Sequence, residues 1–196
     1  MRLKSRRFQG VLAGLVAALA MPAAAQAACP AAQPVSNPFA QFGDHADYVL
    51  APGGGFESGM QGWTLSGGAS VVSGNESFSV RGASDQRALR LPEGATALSP
   101  AFCVDDTNPT MRMFLRQAAG TSSLRVEVLY DAGKVKKPGM IRNYSDTYAQ
   151  WSPSPVLKLA DQLPTSLTST YVQLKITADS GGTWEVDDVY IDPRAL

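Results

Sequence analysis

Alternation of apolar and polar residues with a period of two constrains this chain more than any other feature. It is clearest over 110–117, where one face holds Met111, Met113 and Leu115 and the other holds Arg112, Phe114 and Arg116. Residues 123–131 and 168–178 alternate in the same way. This period is typical of strands with one buried face. Clusters of Gly, Ser, Pro or Asn separate nearly every pair of such runs, so the sequence predicts an all-β fold, an antiparallel β-sandwich of jelly-roll type.

The strand pattern recurs in short segments along the chain, each bounded by turn residues. The candidate strands are 47–51, 63–66, 69–72, 77–81, 87–91, 95–98, 100–104, 110–117, 123–131, 154–159, 168–178 and 183–192. At 196 residues the chain has room for one ordinary domain. We therefore expect a single sandwich domain over residues 46–196.

The first 45 residues differ from the rest. Residues 1–27 have a basic start, an apolar core and a small-x-small cleavage pattern, which is typical of an export signal peptide. Their apolar run falls short of the roughly 20 residues that a membrane-spanning helix needs. Residues 28–45 are rich in proline and alanine and carry Phe39 and Phe42, so we expect an extended arm laid on the domain. The sequence thus predicts a secreted, extracellular protein with no membrane anchor after cleavage.

Charge and cysteine usage agree with export. Loss of residues 1–27 removes four of the 17 basic residues and leaves 17 acidic ones, a formal charge of −4. An acidic surface does not favour nucleic acid or anionic lipid. The two cysteines, Cys29 and Cys103, both remain after cleavage, and two thiols in an oxidising compartment usually pair. We expect a Cys29–Cys103 disulfide; the alternatives are two free buried thiols, or a lipoprotein whose acylated N-terminus is Cys29.

Two stretches carry acidic residues beside apolar ones. Residues 53–63 combine glycines with Phe56 and Glu57, which is typical of an acidic turn between strands. Near the end of the chain, Asp187 and Asp188 are adjacent inside an apolar strand, where carboxylates are costly without partners. Neighbouring strand residues face opposite ways, so one aspartate points inward unless a bulge intervenes. An inward carboxylate needs a cation or several N–H donors, and Glu57 offers part of a calcium shell.

The same two stretches resemble a known family. Gly-Gly-Phe-Glu-Ser-Gly-x-x-Gly-Trp-Thr at 54–64 and Val-Asp-Asp-Val-x-Ile at 186–191 resemble the first and last strands of galactose-binding-domain-like, jelly-roll carbohydrate-binding modules. The chain is also similar to short secreted bacterial proteins of this architecture. The resemblance covers 47–192 and implies a structural calcium ion held by Glu57, by Asp187 or Asp188, and by backbone oxygen near Gly55. Many modules have an asparagine before that glycine, so a hydrogen-bonded carboxylate pair without an ion is the alternative.

A sugar site needs a flat aromatic face flanked by polar side chains. The stretch 143–151 offers aromatics, a carboxylate and amides in what reads as a loop, which Tyr130 and Arg142 could border. The candidate ligand-binding residues are Tyr144, Asp146, Tyr148 and Gln150. By the family resemblance, the tryptophans Trp63, Trp151 and Trp184 are expected in the core instead.

The sequence predicts no catalytic residues and no enzyme. It has no nucleophile elbow, metal-binding histidine pair or phosphate loop, and its one histidine, His45, does not support most triads. The leading hypothesis is non-catalytic binding of a cell-surface or extracellular polysaccharide or other glycan. The alternative is a secreted structural or adhesion module that binds protein or envelope components.

Overall fold

The computed structural model describes residues 34–105, 110–130, 135–142, 148–158 and 169–192; the expected signal peptide lies outside these ranges. The described strands are β1 (Val49–Leu50), β2 (Thr64–Ser66), β3 (Ser70–Ser73), β4 (Arg87–Leu91), β5 (Thr96–Leu98), β6 (Phe102–Asp105), β7 (Thr110–Gly120), β8 (Ser123–Tyr130), β9 (Val135–Arg142), β10 (Ser152–Pro153), β11 (Leu157–Lys158), β12 (Ser169–Ala178) and β13 (Gly182–Ile191). A 3-10 turn covers Ala40–Phe42. Within the described ranges, no helix has the length and apolar character needed to span a bilayer.

The strands form two sheets. Sheet I has seven strands in the order β10-β7-β13-β4-β3, with β1 paired to β13 and β11 paired to β7. Sheet II has six strands in the order β2-β5-β12-β8-β9, with β6 paired to β12. Every pairing in the described part of the chain is antiparallel. The predicted all-β, antiparallel architecture is therefore confirmed.

The sheets face each other across one hydrophobic core. Sheet I contributes Met113 and Leu115 from β7, and sheet II contributes Leu174 and Ile176 from β12, all of them fully buried. Each such side chain stabilises the fold by about 1.5–3 kcal/mol relative to an exposed position. Phe114, on the opposite face of β7, belongs to a separate aromatic cluster. The two faces predicted for β7 are thus confirmed.

The separate aromatic cluster lies where the N-terminal arm meets sheet I. Phe39 of the arm is 0% exposed and stacks on Phe114 with 5.1 Å between ring centroids. The guanidinium carbon of Arg112 lies 4.5 Å from the centre of the Phe39 ring. Arg112 Nη1 donates to Asp44 Oδ2 at 2.7 Å, and the Tyr48 hydroxyl donates to the same oxygen at 2.8 Å. Ring packing and a largely buried ion pair therefore hold the arm on the domain.

Four segments differ from the strand prediction, and one of them is β10 (Ser152–Pro153), which no candidate strand covers. Segment 77–81 is a loop, because a glutamate side chain rather than a neighbouring strand accepts its backbone hydrogen bonds. Of the predicted strand 154–159, the described residues 154–158 hold two strand residues, those of β11. Strand β9 has no counterpart in the prediction, because Pro138 and Gly139 are depleted in strands. Since β9 is at the end of the strand order of sheet II, it can accommodate a proline.

The expected disulfide joins a described residue to one outside the described ranges. Cys103 lies half-buried on β6, opposite Tyr171 of β12. No cysteine among the described residues is free. Cys29 lies outside the described residues, so its pairing with Cys103 stays a prediction.

Candidate functional site

The paired aspartates of β13 lie at a β-bulge. Asp187 is opposite Phe114 of β7, and the next paired residue, Tyr190, is opposite Arg112, so β13 carries one extra residue here. Asp188 has a φ of 47°, in the left-handed region that aspartate tolerates better than most residues. Asp187 is 0% and Asp188 1% exposed. Both carboxylates are buried because both faces of β13 are covered here.

Backbone N–H groups satisfy the oxygens of two buried carboxylates. The N–H of Glu76, in the loop between β3 and β4, donates to Asp187 Oδ2 at 3.0 Å, and the N–H of Asp188 donates to Asp187 Oδ1 at 2.8 Å. The Glu76 carboxylate accepts the N–H groups of Phe78 and Val80. Hydrogen bonds to charged groups contribute about 1.5–3 kcal/mol each. These carboxylates thus fold the β3–β4 loop onto the bulge.

The acidic turn contacts the same loop at its other end. Glu57 Oε1 accepts the backbone N–H groups of Gln86 and Arg87 at 2.9 and 2.8 Å. The ring of Phe56 is fully buried in the main core. Phe56 therefore anchors the turn while its neighbour Glu57 orders the start of β4.

The guanidinium of Arg81 lies between the glycine turn and the bulge. Arg81 Nη1 is 3.2 Å from Asp85 Oδ2 and 3.4 Å from Asp188 Oδ1. A Cβ atom placed on Gly55 would lie 1.8 Å from Arg81 Nη1. Gly55 is therefore required here for the space it leaves to the arginine.

These contacts do not fit the calcium ion that the sequence predicts. Calcium takes six to eight oxygen ligands, whereas Glu57 and Asp187 accept backbone hydrogen bonds and Asp188 faces a guanidinium. Within the described ranges, no group of three or more His, Cys, Asp or Glu side chains is arranged to hold a metal ion. The geometry matches the alternative of hydrogen-bonded carboxylates without an ion. Calcium binding remains a prediction for experiment to test.

Burial opposes ionisation of the aspartates at the bulge. Burial, followed by the neighbouring charge of Asp188, raises the pKa of Asp187 to about 9. Burial raises the pKa of Asp188 to about 7, although Arg81 acts to lower it. Burial also raises the pKa of Asp85. We call the carboxylates around Arg81 the bulge cluster; they are Glu76, Asp85, Asp187 and Asp188. This cluster carries less negative charge at neutral pH than four free carboxylates would.

The outward surface of β12 has a different character. Alternate residues of β12 enter the core, which leaves an outward row, here called the β12 face: Tyr171, Gln173, Lys175 and Thr177. Tyr171 is 60% exposed, the one exposed aromatic ring among the described side chains. The row spans about 20 Å at the rise of a β-strand. The sequence alternation already places these four residues on one face. An aromatic residue on the polar side of a strand is the signal that identifies Tyr171, and the sequence prediction did not use it.

Polar groups of ordered geometry accompany Tyr171 on the β12 face. Gln173 Nε2 donates to the backbone oxygen of Ser99 at 2.9 Å, which fixes the amide. Lys175 Nζ lies 3.5 Å from Glu127 Oε2 on the neighbouring strand β8. Glu127 is 8% exposed, and its Oε2 accepts no hydrogen bond from the described residues. This oxygen is buried beside the Lys175 ammonium, so Glu127 positions the lysine and offers no acceptor to a ligand.

The ligand-binding residues predicted from the sequence are only partly described. Tyr144 and Asp146 lie outside the described residues. Gln150 is exposed, as a contact residue must be. Tyr148 is 5% exposed and its ring centre lies 5.5 Å from that of Trp184 in the core. The prediction that the Tyr148 ring faces a ligand is therefore wrong, because this ring fills space beside Trp184.

The structure tests the prediction for the tryptophans but not the one for the border residues. Trp63, Trp151 and Trp184 are buried, so their predicted place in the core is confirmed. Tyr130 and Arg142 lie at opposite ends of the β8–β9 pair, about 23 Å apart at the strand rise. Their side chains and residues 143–147 lie outside the described part, so whether they border the loop stays a prediction.

Comparison with known proteins finds similar folds among solved structures. No family model and no curated protein matches the chain. A cyclase from Fischerella sp. TAU, solved in complex with 4-(1H-indol-3-yl)butan-2-one, is 11% identical, with 76% of this chain and 99% of that chain covered and a TM-score of 0.51.

Solved carbohydrate-binding modules are similar as well. The CBM22-1 xylan-binding domain from Paenibacillus barcinonensis Xyn10C is 16% identical, covers 72% of this chain and 93% of its own, and has a TM-score of 0.45. TmCBM61 in complex with β-1,4-galactotriose is 16% identical, with coverages of 72% and 96% and a TM-score of 0.44. At these identities the likeness concerns the fold alone. The two antiparallel sheets of this chain are themselves the all-β architecture that the resemblance predicted.

Proposed function

We propose that this protein is a secreted, non-catalytic carbohydrate-binding protein that binds a cell-surface or extracellular polysaccharide through the β12 face. The observation that carries the proposal is the exposed ring of Tyr171 on an ordered strand, in a row with Gln173 and Lys175. An aromatic ring offers a flat apolar surface to the C–H face of a sugar. The amide and ammonium groups beside it match sugar hydroxyls.

The rigidity of the β12 face favours binding. Binding ordinarily costs about 0.5–1.5 kcal/mol for each side chain that it immobilises. Here the backbone is held in sheet II on both sides, and Gln173 already has a fixed hydrogen-bond partner. The buried Glu127 carboxylate holds the Lys175 ammonium through an ion pair, so the lysine is partly ordered before binding. A shallow face of this kind supports weak, reversible binding.

Secretion and the absence of catalysis belong to the same proposal. The export-like pattern of residues 1–27 and the two cysteines support secretion. The non-catalytic role is supported by the bulge cluster, where Asp187 and Glu76 accept backbone hydrogen bonds and hold a loop. The alternative function, a structural or adhesion module, predicts no retention on polysaccharide.

The test is affinity electrophoresis of the purified protein through gels containing xylan, galactan or mixed-linkage glucan. We expect retention in at least one gel, and Tyr171→Ala should weaken it about tenfold, which corresponds to about 1.4 kcal/mol of lost stacking. Val156→Ala is the matched control, because Val156 is exposed to a similar degree but lies outside sheet II. Circular dichroism should give both variants the melting temperature of the wild type.

Two results would contradict the proposal. If no polysaccharide in a broad panel retains the wild type, the structural or adhesion module becomes the better account. If the wild type is retained but Tyr171→Ala is retained equally, binding occurs elsewhere. Tyr144→Ala then tests the loop that the sequence analysis favours.

A further inference from the structure

The bulge cluster combines buried carboxylates with one positive charge. Asp188 faces Arg81, Glu76, Asp85, Asp187 and the ring of Tyr190. Among the described residues, Arg81 is the basic side chain within ion-pair distance of Asp188. Asp188 is almost fully buried. Removing the partner of a buried charge leaves that charge uncompensated and is strongly destabilising.

Arg81 lies beside two of the groups that the family resemblance implies as calcium ligands. These are Asp188 of the bulge, one of the two candidate aspartates, and the backbone near Gly55. Arg81 Nη1 reaches both, being 3.4 Å from Asp188 Oδ1 and 1.8 Å from the point where a Cβ on Gly55 would stand. A guanidinium and a divalent cation repel each other, so the two do not share this space.

The other predicted ligands are engaged as well. Glu57 Oε1 accepts two backbone N–H groups, and each oxygen of Asp187 accepts one. These bonds attach the β3–β4 loop to the turn and to the bulge, and Arg81 belongs to the same loop. The loop thus brings both its amide donors and its guanidinium to the carboxylates.

We propose that Arg81 is a built-in cation that takes the place of a structural calcium ion between the glycine turn and the bulge. The fold then requires no divalent cation at this position. The chain uses a charge fixed by its own loop, so its stability does not depend on the calcium concentration of its surroundings.

The test compares melting temperatures of the purified protein in excess chelator and in millimolar calcium. We expect the wild type to melt at the same temperature in both. Arg81→Ala should melt about 4 °C lower in chelator, because Asp188 is buried but Arg81 itself is exposed, so solvent screens the pair. Calcium should restore part of that loss, because Asp85 and Asp188 then lack their cation.

Two further variants serve as controls. Arg87→Ala removes an exposed arginine of the same region while keeping the backbone N–H that Glu57 binds, and should match the wild type in both solutions. Arg81→Lys keeps a positive charge and should stay insensitive to calcium. If Arg81→Ala fails to fold, the wild type and Arg81→Lys still decide the question.

Three results would overturn the proposal. A wild-type melting temperature that falls in chelator would mean that the native protein binds calcium. An Arg81→Ala variant as stable as the wild type would mean that the charge is not needed. A destabilised Arg81→Ala variant that calcium does not restore would assign Arg81 a packing role only.

Discussion

Replacement of Phe39 by alanine tests whether the N-terminal arm is part of the cooperative core. The Phe39 ring is fully buried, lies 5.0 Å from Tyr48, 5.1 Å from Phe114 and 5.7 Å from Tyr190 between centroids, and has the Arg112 guanidinium carbon 4.5 Å from its centre. Truncation of a buried phenylalanine costs about 3–5 kcal/mol. We expect Phe39→Ala to lower the free energy of unfolding by about 3 kcal/mol, the lower end of that range, because a terminal segment can relax around the cavity.

Urea denaturation followed by tryptophan fluorescence measures this change. For a chain of this size, the loss corresponds to a fall of about 10 °C in melting temperature. Phe42→Ala is the matched control, since Phe42 lies in the same arm but is only half-buried, and it should cost less than half as much. A Phe39→Ala variant within 1 kcal/mol of the wild type would refute the reasoning and show an arm that adheres to the domain without stabilising it.

Three further predictions concern covalent and electrostatic features. We expect no reactive thiol in the denatured, unreduced protein, since a Cys29–Cys103 bond would stabilise the fold by about 4 kcal/mol in the chain-entropy model; two thiols per chain would exclude it. The pKa of Asp187 is raised to about 9 and that of Asp188 to about 7 in the folded protein. As pH rises, both carboxyl groups therefore lose their protons in the unfolded state before they do in the folded state. The free energy of unfolding should fall between about pH 4 and pH 9, by up to about 1.4 kcal/mol per pH unit for each group. Urea denaturation at pH 5, 7 and 9 measures this slope, which Asp187→Asn should reduce; stability that rises over this range would contradict the assignment. Tyr148→Ala should lower the free energy of unfolding by about 3 kcal/mol in the same assay, as expected for a core ring, and an unchanged value would restore Tyr148 as a surface residue.

The fold could be predicted where local pattern and tertiary packing agree. On β7, strict alternation places Met113 in the core and Phe114 on the other face, and both positions are observed. Strand β9 is absent from the prediction because Pro138 and Gly139 are poor strand formers, yet pairing along β8 holds the segment in the sheet. Here the inter-strand hydrogen bonds outweigh the low strand propensity of these two residues.

The candidate site was harder to predict because it depends on contacts distant in sequence. The sequence analysis identified Asp187 and Asp188 as costly residues that need partners. It did not identify Glu76 or Arg81 as partners, because they lie more than 100 residues earlier in the chain. Tyr148 was misassigned because aromatic residues occur both in ligand sites and in cores, and composition does not distinguish the two. The burial of the Tyr148 side chain, which only the structure shows, distinguishes them.

The most direct test of the account is a map of where a glycan touches the protein. Backbone-amide NMR spectra would be recorded while the polysaccharide fragment retained in electrophoresis is titrated into the protein. The account predicts the largest chemical-shift changes at Tyr171, Gln173 and Lys175, with smaller changes at Glu127 on the adjacent strand. Changes confined to 143–151, or to no contiguous surface, would contradict it.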